Sequence, residues 1–222
     1  VRATKRMDSI LELNRMGRYV IIEAGVTHGR LGDYLDRHAP DLQHPRPEAP
    51  PMATIVGNMM CRGHSQLTLR NGNNAHLNNG MEVVLPTGEV CRIGGWSVSP
   101  WPFTKGPIPD LTGLFCGWHG SSGVVTKLSV KLFPRHPLVD VVGIRVDDVE
   151  LLPDLLYQIT HADVGDILFV VGSGPPGKEV PGYVTVAISG EIPEEMAFKT
   201  AVCRRIRGLR SLLSGVTSKC AR

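Results

Sequence analysis

Aromatic residues are scarce in this 222-residue sequence, at 5%. No apolar run approaches the ~20 residues a membrane-spanning helix needs. Cysteine is sparse too, with five residues at 61, 91, 116, 203 and 220 and no C-x-x-C spacing. An odd, unpatterned set argues against a disulfide framework and a zinc site, and for a reducing compartment. The basic start, Val1-Arg-Ala-Thr-Lys-Arg-Met7, lacks the apolar stretch of a signal peptide, so a cytoplasmic protein is expected. His28, His64, His76 and His119 have no H-x-x-x-H spacing beside a carboxylate, so no metal site is expected. A net charge of +3 is too small to argue for nucleic acid. Ser121 and Ser122 lack a G-x-S-x-G frame, which speaks against a hydrolase. Gly172-Ser-Gly-Pro-Pro-Gly177 lacks the Lys-Ser/Thr of a phosphate-binding P-loop and reads as a hairpin loop. What remains is ordinary globular material, 42% hydrophobic and 20% charged, enough for one large or two small domains.

Along the chain, Ile10 to Leu13 and Tyr19 to Glu23 read as two strands around a turn at Asn14 to Gly17. Thr27 then caps a helix with Leu31, Tyr34 and Leu35 on one face, ended by Pro40. Pro45, Pro47, Pro50 and Pro51 make an extended crossing. The polar run from Arg70 to Gly80 reads as a surface loop. Residues 81–93 read as a hairpin turning at Pro86-Thr87-Gly88. Residues 94–109, rich in glycine and proline and carrying Trp96 and Trp101, form an irregular excursion. From Leu138 onward a β-α-β-β-α order suggests a second, ferredoxin-like module: strand 138–146, helix 148–161, strand 167–171, strand 183–189 and helix 193–213.

The most informative stretch is 110–134. Asp110 caps a turn from Leu111 to Phe115, and a small-residue corner, Gly117 to Gly123, follows with only Trp118 and His119 as bulk. Such a corner lets backbone approach something large and flat, because no Cβ stands in the way. Then Val124, Thr126, Leu128, Val130 and Leu132 alternate with Val125, Lys127, Ser129 and Lys131, the pattern of a strand with one apolar face.

A helix, a glycine corner and a long strand in this order resemble the flavin-binding segment of the vanillyl-alcohol oxidase and para-cresol methylhydroxylase (PCMH-type) family, which includes glycolate oxidase and D-lactate dehydrogenase-like members. The resemblance spans residues 7–137. Met7-Asp-Ser-Ile-Leu-Glu-Leu-Asn14 is similar to the family's M-x-x-I-L-E-x-D/N, and Glu23-Ala-Gly-Val-Thr27 to its E-P-G-V-T, with Ala24 in place of proline. Thr54-Ile-Val-Gly-Asn58 resembles T-I-G-G-N, and Gly80-Met-Glu-Val-Val-Leu-Pro-Thr-Gly-Glu-Val90 is close to G-M-E-V-V-L-x-x-G-E-V. The methionine variant with Arg62-Gly63 points to the phenol-oxidising branch, while Asp110-Leu-Thr-Gly-Leu114 leans toward the 2-hydroxy-acid branch.

The resemblance implies an α+β fold. Residues 1–137 would be a PCMH-type FAD-binding domain, a mixed sheet with flanking helices, and 138–222 a partial substrate or cap domain. It implies FAD as cofactor, hydride transfer from an alcohol, 2-hydroxy acid or para-substituted phenol to flavin N5, and a small-molecule substrate. Gly25, Thr54, Ile55, Gly57, Asn58, Arg62 and Gly63 would line the diphosphate and ribityl portion. Gly120, Gly123 and Val124 would bring backbone to the pyrimidine edge of the ring. Asn73 occupies the place where the phenol-oxidising branch has a catalytic carboxylate, and asparagine can donate and accept hydrogen bonds but cannot act as a base. The family's glycine-rich diphosphate loop precedes the M-x-x-I-L strand, where this chain begins, and its cap is longer. The resemblance therefore leaves an alternative: a non-catalytic fragment or subunit of a split flavoenzyme, with an uncovered N-terminal hairpin, that does not hold FAD alone. A second chain completing the domain, or a homo-oligomer, is then the expected partner.

Overall fold

The computed structural model describes residues 6–206 except 46, 48, 66, 107, 147–148 and 172–181. The hairpin loop read at 172–177 and the end of the last helix lie outside them. The chain divides into two compact units, Val1–Arg135 and His136–Arg222.

The first unit is built on a five-stranded antiparallel sheet. Its strands are β1 (Ile10–Asn14), β2 (Tyr19–Glu23), β4 (Asn78–Val84), β5 (Val90–Gly94) and β6 (Val124–Lys131), in the order β1-β2-β6-β4-β5. The 86–88 hairpin and the long strand thus share one sheet. A short pair, β3 (Leu42–Gln43) with β7 (Phe133–Pro134), lies beside it. Val20 and Ile22 of β2, Met81 and Val83 of β4, and Leu128 and Val130 of β6 are buried in one core. Helices α1 (His28–His38) and α2 (Ile55–Met60) supply Leu31, Leu35, Ile55 and Met59 to it. Thr27 caps α1 by accepting from the Arg30 N–H at 3.2 Å. The outer face of the sheet carries a smaller cluster of Tyr19, Ile21 and Trp96. The excursion is tied down there by the buried Ser129 hydroxyl, which donates to the Pro102 carbonyl at 2.6 Å.

Three expectations are corrected. The N-terminal hairpin is covered on its second strand only: Val20, Ile21 and Ile22 are buried, the first and last under the helices and Ile21 beside Trp96, whereas Leu11 of the edge strand β1 is 48% exposed. The strand β6 does not keep one apolar phase. Pairing slips between Glu82 and Val83, leaving Thr126 as the extra residue, so that Val125 is buried while Val124 is 55% exposed. Finally, the polar run is not a solvent loop. It folds into a short helix α3 (Thr68–Asn71) and a 3-10 turn (Asn74–Leu77), and buries Asn74, Asn78 and Asn79.

The second unit is a three-stranded antiparallel sheet, β8 (Leu138–Val146), β10 (Gly182–Gly190) and β9 (Ile167–Val171), in that spatial order. Helices α4 (Leu152–Ala162) and α5 (Pro193–Arg205) pack on it, burying Leu155, Ile159 and Cys203 against Val142, Ile144, Val184, Val186 and Ile188. Placing the third strand between the first two is the split arrangement expected of a ferredoxin-like layer. The first helix begins later than expected, because Val149–Leu151 is a 3-10 turn and Pro153 sits in the opening helical turn. Among the described residues no helix is long and apolar enough to cross a membrane.

Candidate functional site

Strand β2 runs out into the turn Ala24-Gly25-Val26, where Gly25 N–H donates to the Met7 carbonyl at 2.6 Å and Ala24 N–H to Thr126 O at 3.0 Å. This turn lies against the segment before α2: Thr27 forms a bridge with Thr54, and Ile55 N–H donates to Val26 O at 3.0 Å. Thr54 caps α2, its hydroxyl accepting from Gly57 N–H at 3.3 Å. A Cβ on Gly57 would sit 2.7 Å from that hydroxyl, so the cap needs glycine there. Gly25, Thr54, Ile55 and Gly57 are therefore brought together.

The chain leaves α2 by a tight exit. Arg62 adopts a left-handed φ of 55°, and Gly63 N–H donates back to Asn58 O at 2.9 Å. Asn74, fully buried, donates its backbone N–H to Gly63 O at 2.8 Å and its side-chain N–H to Asn58 Oδ1. Asn58, Arg62 and Gly63 thus form a second group, with Asn73 beside it. Asn73 Oδ1 caps the 3-10 turn by accepting from Ala75 N–H at 3.0 Å, which leaves its NH2 as the group it can present.

The glycine corner joins the same exit. Gly117 N–H donates to Met60 O at 2.6 Å, and a Cβ there would lie 3.3 Å from Arg62 Nε. Asp110 caps the preceding turn by accepting from Thr112 N–H at 3.0 Å, and Lys105 reaches it at 2.9 Å. Burial would raise the Asp110 carboxyl, but the Thr112 and Lys105 hydrogen bonds outweigh it and hold it below the usual range. Burial pushes the Cys116 thiol up, which keeps it protonated and unreactive as a nucleophile. Past the corner, Gly123 packs tightly and Val124 pairs with Val84 at the end of β4. Gly120 has a φ of +85° and nothing within 4 Å of a would-be Cβ, so its backbone faces open space.

Asn74, Gly117 and the Met60 carbonyl were not singled out from sequence. Gly117 could have been found from the corner it opens. Nothing local marks the other two, since their partners lie far along the chain.

This frame suits FAD. The corner offers open backbone at Gly120 for a flat ring edge, and the Arg62 guanidinium beside Gly117 offers positive charge for a diphosphate. Comparison with known proteins agrees. Residues 1–94 match the model of a FAD-binding domain family. The first unit has the fold of a PCMH-type FAD-binding domain. The 4-cresol dehydrogenase [hydroxylating] flavoprotein subunit of Pseudomonas putida is 29% identical over 82% of this chain and 33% of its own length. The 1'-carboxy-chondrochloren decarboxylase of Chondromyces crocatus is 32% identical over 90% of this chain and 36% of its own. The fold of p-cresol methylhydroxylase, solved with substrate bound, superposes with a TM-score of 0.80 at 20% identity, over 97% of this chain and 48% of that one. The chain thus spans about a third of these curated relatives and just under half of that solved chain.

Proposed function

We propose that this chain is the flavin-holding part of an FAD-dependent oxidoreductase acting on an alcohol, a 2-hydroxy acid or a para-substituted phenol. The observation that carries the reading is the Gly117 N–H to Met60 O bond, which joins the segment 54–63 to the corner 117–123. The family resemblance gives both segments to the cofactor, and one hydrogen bond makes them neighbours. When bound, FAD supplies the two-electron chemistry as hydride acceptor. The protein's share is placement. Gly25, Thr54, Ile55 and Gly57 hold backbone close to the ribityl and diphosphate portion, while Asn58, Arg62 and Gly63 present donors and charge to its oxygens. Gly120, Gly123 and Val124 bring main chain to the ring edge. Asn73 orients the substrate by a hydrogen bond from its NH2 and moves no proton.

The relatives support the oxidoreductase over the non-catalytic subunit. One of them is itself a flavoprotein subunit, which supports a second chain or a further copy as partner. Free cysteines at 61, 91, 116 and 203 suit a reducing, cytoplasmic setting. Residues 138–222 would serve as part of the substrate-covering domain. The test is a visible spectrum of the purified chain after FAD addition and gel filtration. Absorbance near about 450 nm, a property of the flavin, is expected to travel with the protein, and a colourless protein would refute the reading.

A further inference from the structure

We infer that Asn74 is a positioning residue that sets which end of the Asn58 carboxamide faces the cofactor. The inference rests on the FAD reading of the segment 54–63. Asn74 is fully buried and grips the exit of α2 twice, through its backbone N–H to Gly63 O at 2.8 Å and its side-chain N–H to Asn58 Oδ1. Gly63 N–H also holds the Asn58 backbone carbonyl at 2.9 Å. The absent Cβ of Gly63 is what leaves room, since it would stand 2.5 Å from Asn58 Nδ2 and 2.6 Å from Oδ1. The Asn58 carboxamide is therefore held between Gly63 and Asn74.

An asparagine side chain is nearly symmetric in shape but not in chemistry, since one end accepts and the other donates. A donor from Asn74 can be met only by the Asn58 oxygen. That leaves the Asn58 NH2 as the end available to a ligand, the correct polarity for a diphosphate or carbonyl oxygen. The arrangement has a cost in the fold: Asn74 Oδ1 is buried with no partner. Buried acceptors are normally satisfied, and an apolar side chain of similar size would remove the defect. The Asn74 side chain is therefore engaged through its donor alone.

Asn74→Asp inverts the logic without changing the shape. A carboxylate cannot donate, so Asn58 must turn its NH2 inward and offer its oxygen to the ligand. FAD affinity, read by quenching of flavin fluorescence on the full chain, is expected to fall about tenfold in Asn74→Ala and about a hundredfold in Asn74→Asp. The FAD-free Asp variant should melt below the parent, because its carboxylate is buried, so affinity is read well below that melting temperature. Added negative charge could weaken binding by itself, so both substitutions are repeated in an Asn58→Ala background. If Asn74 acts through Asn58, the Ala and Asp variants there bind FAD equally. A tenfold gap between the Ala and Asp variants that persists in that background overturns the inference, as does parental affinity in Asn74→Asp. In either case the site reading stands if Gly120→Val still lowers flavin content. A parent chain that takes up no FAD sinks the site reading and this inference together. Should Asn74→Asp fail to fold, Asn74→Ala decides: unchanged affinity refutes the inference.

Discussion

Two glycines of the corner, three residues apart, should respond oppositely to the same added methyl group. At Gly123 a Cβ would lie 2.9 Å from both Val83 Cγ1 and the Val84 carbonyl, and 3.1 Å from Phe115 Cε1. The Val84 carbonyl belongs to β4 and cannot retreat without disturbing its ladder. Overpacking of this kind costs about 1–3 kcal/mol. For a unit of this size each kcal/mol is worth roughly 3–4 °C, so Gly123→Ala should melt roughly 3–12 °C lower. At Gly120 a Cβ meets nothing, and the only cost to the fold is the left-handed φ of +85°, about 1 kcal/mol or roughly 3 °C. The methyl group at Gly120 instead enters the space assigned to the ring edge. Gly120→Ala should therefore lose flavin with little loss of stability, and Gly123→Ala the reverse. Thermal unfolding of the FAD-free proteins and flavin titration measure the two effects separately. Full flavin affinity in Gly120→Ala would refute the corner as the ring contact, and an unchanged melting temperature in Gly123→Ala would refute the packing argument. Binding alone does not make Gly123 necessary, because its first conflict is with the protein itself.

Further outcomes are expected. His28, buried and stacked on His44 with ring centroids 5.3 Å apart, has its pKa pushed down by burial to about 4. A depressed histidine favours the folded state above its unfolded pKa of about 6.5 and withdraws that support as pH falls toward 4, on the order of 3 kcal/mol in all. Urea titrations of His28→Leu across that range should show a flatter dependence, and an unchanged slope would mean that another group titrates. Burial would raise the Glu82 carboxyl, yet hydrogen bonds from Lys127 and Thr126, with the Lys127 charge and Arg92, hold it low. Its contribution is present above the unfolded pKa of about 4.3 and is lost as pH falls through the lower folded value, so Glu82→Gln should destabilise at pH 7 and converge with the parent near pH 3. Ser129→Ala removes the donor to Pro102 O and should cost about 1–2 kcal/mol, with faster amide exchange across 95–109; unchanged exchange there would show that Trp96 alone anchors the excursion.

Much of this architecture could be read from residue order because the signals are local. The Thr27 cap and the Leu31–Leu35 spacing mark α1, and Pro86-Thr87-Gly88 marks the β4–β5 hairpin. The misreadings have the opposite character. Asparagines at 74, 78 and 79 look solvated until Asn58 Oδ1 and the Ala75 carbonyl arrive as acceptors for two of them. The phase slip at Thr126 comes from pairing with β4, so an isolated strand shows only a regular alternation. The site divides the same way. Its glycine-bearing segments are visible one by one, whereas the Gly117–Met60 bond that makes them neighbours depends on chain crossings far apart in sequence.

The central position of β6 also governs how the first unit can form. The hairpins β1–β2 and β4–β5 close between near neighbours, but β2 meets β6 in the register Tyr19↔Lys131, across most of the unit. Pairings of such separation form slowly, because a long loop must close before any contact rewards it. A chain emerging from the ribosome with only the residues up to β5 free would hold two hairpins, each with an open inner edge that invites pairing with other chains. Synthesis of residues 124–131 closes both edges at once, and the same stretch delivers the corner to the end of α2. The sheet and the Gly117–Met60 junction are thus expected to form together and late.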